Sequence, residues 1–149
     1  ARFSAWLARY RLCRAAERKP AASNDLRERW TSAPTSDIAT DALEQRFAAA
    51  IAHPSAGSPV SEDDVGTFRD VLIELEFLAG IEVPEQDREA RRALQVARLA
   101  RRMRGDSMAT PAEELDTLLT RWSALGPAPG AEWDRRLEDG VTAAIETLP

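Results

Sequence analysis

The chain holds one cysteine, Cys13, so no disulfide can close within it, and one histidine, His53, which is too few for a multi-His or Cys/His metal site. That histidine precedes Pro54 in a predicted loop, so no Glu-x-x-His pair exists to seed a di-iron bundle. The seven glycines are scattered and recur at neither Rossmann nor P-loop spacing, which removes a phosphate-cradling loop. The longest apolar-looking run, Val71 to Ile81, is broken by Glu74 and Glu76 and falls well short of the roughly 20 residues that cross a bilayer. No basic-then-apolar leader opens the chain, as would also hold for a processed or truncated start, and a reducing cytoplasm is the expected setting. No catalytic constellation, cofactor site or metal site is expected, and the protein is read as a non-enzyme.

What is present is globular. The 149 residues are 44% hydrophobic and 30% charged, which suits one compact unit. Of 20 basic residues only Lys19 is lysine, a bias that a GC-rich genome also produces. Charge is blocked along the chain: residues 1–30 carry +5, 31–87 carry −10, 88–104 carry +6 and 105–149 carry −6. A net charge of −5 argues against general nucleic-acid affinity, yet it hides two basic segments.

Helical periodicity runs throughout, and alternating β-branched patterns never persist, so the predicted fold is an all-α bundle of six to seven helices. Phe3, Trp6, Leu7, Tyr10 and Cys13 stripe a first helix that Lys19-Pro20 stops. Ser23 or Asn24 caps a short second helix carrying Leu26 and Trp30, before the Ser32-Ala33-Pro34 break. Ile38, Ala42, Leu43, Phe47, Ala50 and Ile51 give a third. His53 to Pro59 read as a linker. Ser61-x-x-Asp64 resembles a capping box for a fourth helix with Val65, Phe68, Leu72, Leu75 and Ala79 inward. Pro84 opens a basic helix over 85–104 that Gly105 caps. Thr110-Pro111-Ala112-Glu113 is the clearest start signal, beginning a helix with Leu115, Leu118, Leu119 and Trp122 that ends at Gly126-Pro127. The last helix, 131–148, carries Trp133, Leu137, Val141, Ala144, Ile145 and Leu148.

The two halves echo each other in order. Residues 12–17 align with 71–76, Leu26-x-x-x-Trp30 with Leu118-x-x-x-Trp122, and Arg46-Phe47-x-x-x-Ile51 with Arg136-Leu137-x-x-x-Val141. This predicts two related antiparallel helical-hairpin repeats packed as one bundle: 1–52, and 60–149 with the basic helix inserted. Each repeat's turn is expected to be pinned by a large aromatic ring.

Leu75-Glu76-Phe77-Leu78-Ala79-Gly80-Ile81-Glu82-Val83-Pro84-Glu85, then Arg88, Arg91, Gln95-Val96-Ala97-Arg98-Leu99 and Trp122-Ser123-Ala124-Leu125-Gly126-Pro127, resemble the bacterial proteins grouped as domain-of-unknown-function family 349. The resemblance spans about two thirds of the chain and departs from the family pattern after Trp30, where Thr-Ser-Ala-Pro lacks the glycine. It implies tandem helical repeats, a chain that can be a piece of a longer one, and no established chemistry.

Two features compete for function. In the 85–104 helix, Arg88, Arg91, Arg92, Arg98 and Arg102 fall within about 120° of one another, while Ala90, Ala93, Leu94, Val96, Ala97, Ala100 and Met103 fill most of the rest. The plain reading pairs these arginines with the acidic block of residues 31–87 or leaves them solvated; the sharper one lays them along an RNA backbone, though no aromatic is interleaved to stack bases. Glu76, at the edge of an apolar stripe, calls for an ion-pair partner, with Arg69 or an arginine of the following helix expected to supply it, and Glu17 stands at the equivalent place. Trp30, Trp122, Trp133, Glu76, Phe47 and Leu137 are read as structural anchors, against an exposed aromatic patch for the tryptophans. The expected function is a helical protein-interaction or scaffold module with a protein partner and no membrane or metal; the alternative is RNA or ribosome binding.

Overall fold

A computed structural model describes residues 2–18, 23–52, 62–106 and 109–147, and among these every regular element is helical. Seven α-helices follow in order: α1 (Arg2–Arg18), α2 (Ser23–Ser32), α3 (Thr40–Ala52), α4 (Glu62–Ala79), α5 (Arg88–Met103), α6 (Pro111–Ala124) and α7 (Ala131–Thr147), with a 3₁₀ turn at Glu85–Asp87 leading into α5. The all-α bundle predicted from periodicity is the observed class. The Lys19-Pro20 stop, the His53 to Pro59 linker, the capping side chains of Ser23, Ser61 and Asp64, and Leu148 lie outside the described residues.

Local chemistry sets the boundaries. Thr110 caps α6 by accepting a hydrogen bond at Oγ1 from the Glu113 amide, 3.2 Å, and Pro111 occupies the first helical position, where its missing N–H would have had no partner. Gly105 and Gly126, at φ 79° and 90°, take the left-handed conformation just past α5 and α6. Two boundaries differ from expectation. Pro84 opens the 3₁₀ turn, so the α-helix proper begins at Arg88. Ile38 is buried although α3 begins only at Thr40.

The helices form two trios: α1 packs on α2 and α3, and α4 packs on α6 and α7. Positions aligned in sequence occupy matching places in these trios. Glu17 of α1 pairs with Arg46 of α3 at 2.8 Å, and the aligned Glu76 of α4 pairs with the aligned Arg136 of α7 at 2.6 Å. The Arg9 guanidinium lies 4.5 Å over the Trp30 ring; the residue aligned with Arg9 is Phe68, whose ring meets Trp122 edge-on at 5.0 Å. One pair of positions is filled differently in the two trios. A Cβ on Gly140 of α7 would lie 2.8 Å from Leu75 Cδ2, so α4 and α7 approach around a missing side chain, whereas the aligned positions hold Ala50 and Ala16.

One core joins the trios, with Trp6, Tyr10, Cys13, Phe68, Leu72, Leu75, Leu115, Leu119, Trp122, Leu137 and Val141 all buried. Polar bonds cross the same seam. Trp6 Nε1 donates to Ser123 Oγ at 3.1 Å, and Tyr10 Oη donates to Asp134 Oδ1 at 2.6 Å. Arg14 and Arg18 also converge on the Asp134 carboxylate, so this buried acid is fully compensated. No helix of the described residues is long and apolar enough to cross a membrane.

Candidate functional site

The basic helix α5 stands apart from this core: none of its residues is buried. It rests on α4 through the side bearing Arg91, Leu94 and Arg98, which are half-buried. The two arginines lie over the same aromatic ring, with guanidinium carbons 5.6 Å and 5.1 Å from the Phe77 centroid. Each is also held by an oxygen: Arg91 Nη1 donates to the Ile81 carbonyl, and Arg98 Nη2 donates to Glu114 Oε1 of α6 at 2.9 Å.

The expected five-arginine stripe is therefore divided. Arg88, Arg92 and Arg102 are exposed, while Arg91 and Arg98 face the body of the protein. The acid that Arg98 meets is Glu114, outside the acidic block of residues 31–87. Arginine faces inward here because Phe77 offers a flat ring on which guanidinium groups stack while their aliphatic stems cover apolar surface.

With arginine on the inner side, apolar residues are left outside. Val96, Leu99 and Met103 are 62%, 57% and 80% exposed, and they follow one another at helical spacing along one face. Ala90, Ala93 and Ala97 are exposed as well. Beside this row lies a cavity of about 360 Å³ between α5 and the facing ends of α4 and α6. Phe77, Leu78, Leu99 and Pro111 supply its apolar wall, and Arg98, Arg102 and Glu114 its charged rim. Leu99 thus belongs to both the outer row and the cavity wall. No described residue forms an ion pair with Arg88, Arg92, Arg101 or Arg102, so the row is flanked by uncompensated positive charge.

The outward row was not recognised from sequence, although one signal was there: Leu99 falls inside the angular sector of the arginine stripe. Phe77 and Glu114 were also missed as partners of α5.

The remaining residues singled out from sequence are distributed through the core. Glu76 is buried and accepts two hydrogen bonds from Arg136, at 2.6 Å and 3.2 Å. This corrects the expectation of Arg69 or an α5 arginine as its partner. Arg69 instead pairs with Asp87 at 3.6 Å and lies 5.9 Å over the Trp133 ring, because the 3₁₀ turn brings Asp87 between Arg69 and Arg136. Trp122, Leu137 and Phe47 are buried; Trp30 and Trp133 are half-buried against the core, with Trp30 stacked on Phe47 at 4.3 Å and 7°.

Cys13 is fully buried, and burial pushes its thiol up to about 12, which leaves it un-ionised at neutral pH. Burial, together with the Asp134 charge, likewise raises the Tyr10 hydroxyl. Burial works against the Arg14 charge, but its hydrogen bonds to Asp134 and Glu17 outweigh that and raise its pKa. Among the described residues no group of three or more His, Cys, Asp or Glu side chains is placed to hold a metal ion. The chain matches no family model, no curated protein and no solved structure.

Proposed function

We propose that the protein is a non-catalytic helical interaction module that acts in the cytoplasm and binds a protein partner through the outward face of α5. The observation that carries this reading is the apolar row Val96, Leu99 and Met103, exposed at 62%, 57% and 80% on a helix anchored to the bundle by Arg91 and Arg98. An apolar side chain of this size contributes about 1.5–3 kcal/mol when fully buried, so leaving three together in water favours a surface that is covered when at work. The stacked, long-stemmed arginines fix the helix without consuming that row.

A second reading, RNA or ribosome binding, is favoured by one observation: Arg88, Arg92 and Arg102 are exposed and have no acidic partner among the described residues. It draws on three arginines of the stripe, since the other two are engaged inward.

A photoreactive residue at Val96, compared with one at exposed Thr31 on α2, separates the readings in the producing cells. Nuclease-resistant protein adducts specific to position 96 support the interaction module. Adducts that disappear with nuclease select RNA, and equal labelling at both positions overturns a dedicated surface on α5.

A further inference from the structure

We propose that the partner element is an acidic amphipathic helix, which lies along Val96, Leu99 and Met103, sets its carboxylates against Arg88, Arg92 and Arg102, and inserts one apolar side chain into the cavity walled by Phe77, Leu99 and Pro111. The inference rests on the interaction-module reading and narrows it to one chemistry.

Charge selects the sign of the occupant. Residues 88–104 contain seven arginines and one acid, Glu89. The inward Arg91 and Arg98 already have their oxygens and Arg104 pairs with Asp106 at 3.5 Å, while Arg88, Arg92, Arg101 and Arg102 have no ion-pair partner among the described residues. A second copy of α5 would bring six more arginines to the same place, so a symmetric pairing through this helix is repelled. Shape selects a helix. At 100° per residue Ala93 and Ala100 border the large residues at positions 96, 99 and 103, so a ridge lies beside shallow notches that a facing helix fills by interdigitation. A bilayer is a poorer occupant: the row has three large side chains, α5 has no aromatic residue, and alanine notches give acyl chains little to hold. RNA is poorer too, because the apolar row would face the polyanion and no aromatic stacks a base. The cavity adds a specific anchor point. Its apolar wall is continuous with the row through Leu99, and Arg102 stands at its rim.

The test uses the full chain immobilised against a displayed library of helical peptides about six turns long with randomised face positions. The expected winners carry apolar residues at i, i+3 or i+4, and i+7, flanked by Asp or Glu. A winner should bind at least tenfold more tightly than an isomer of the same composition with its apolar residues out of phase. V96S/M103S and, separately, R92E/R102E should each weaken binding at least tenfold while leaving the melting curve unchanged, since these side chains are exposed. Enrichment of basic or unpatterned peptides, no enrichment, or equal binding of the out-of-phase isomer overturns the inference. So does tighter binding of phosphatidylserine vesicles or hairpin RNA than of the winning peptide, or self-association of the free chain that V96S/M103S abolishes. A position-96 crosslink to a protein segment that is not an acidic helix sinks the inference yet preserves the interaction module; absence of any protein crosslink there sinks both.

Discussion

The trio α1, α2 and α3 and the trio α4, α6 and α7 place a tryptophan, a carboxylate and an arginine at matching positions, yet fill the space around them differently. In the second trio Trp122 is fully buried and meets the Phe68 edge, an apolar solution. In the first, half-buried Trp30 is sandwiched between the Phe47 ring and the Arg9 guanidinium, an amphipathic solution that tolerates water at one side. The ion pairs diverge as well. Glu17 serves both Arg14 and Arg46, and Arg14 continues across the seam to Asp134; Glu76 serves Arg136, which continues to Asp87 of the 3₁₀ turn before α5. The lesson is that a common frame of contacts constrains where side chains meet more tightly than which chemistry they use there.

The sharpest test of this contrast is aromatic truncation. Trp122→Ala should cost about 3–5 kcal/mol, whereas Trp30→Ala should cost about 2, because less of its surface is buried. Urea unfolding of both variants measures the gap, and equal losses would erase the distinction between a dry and a wet tryptophan. Glu17→Ala comes next: it leaves two guanidinium groups short of a partner and should cost about 3 kcal/mol, more than Glu76→Ala, whose partner Arg136 retains Asp87. A larger loss from Glu76→Ala would mean that Asp134 already suffices for Arg14.

Gly140→Ala probes the glycine–leucine pair that stands where the first trio has two alanines. Alanine is ordinarily the better helix former, but here its methyl group meets Leu75, so a loss of about 1–3 kcal/mol is expected. Adding Leu75→Ala recreates the Ala16 and Ala50 arrangement of the first trio. The double variant should then be more stable than the two single losses predict when added, as read from a double-mutant cycle. Simple additivity would show that the contact does not govern the fit.

Alkaline pH gives the smallest and most graded difference, because Tyr10 and Cys13 belong to the first trio and their aligned positions hold Arg69 and Leu72. Both groups stay protonated in the fold at pH values where the unfolded chain loses its protons, from about 9.0 for the thiol and 10.0 for the phenol. The folded state then binds more protons than the unfolded state, so stability must fall as pH rises through this window. The slope is about 1.4 kcal/mol per pH unit for each group. Cys13→Ala should delay the onset of the fall by about one unit, and Tyr10→Phe should remove the steeper part above pH 10. A flat profile in the parent chain would show that neither group is shielded.

Periodicity made most of the frame legible. Of the stripe Val65, Phe68, Leu72, Leu75 and Ala79, the last four are buried as read and Val65 is half-buried, and Thr110-Pro111 begins its helix as its chemistry requires, because these signals arise within a few residues of one another. Partner choice was less legible. Glu76 and Arg136 were both singled out, one for its partial burial and the other for its place in the repeat, yet nothing local joins them across the intervening helices. The orientation of α5 could not be read at all from the usual rule that apolar residues face inward, since the decisive group, Phe77, lies on another helix.

From the sequence alone came the helices, their order, the alignment of the two halves and the blocks of charge, all of which depend on short-range spacing and composition. Only the tertiary structure decided that Arg91 and Arg98 turn inward and that Val96, Leu99 and Met103 face water. The reason is physical: a guanidinium group turns inward only when groups from other elements arrive to receive it, here the Phe77 ring, the Ile81 carbonyl and Glu114.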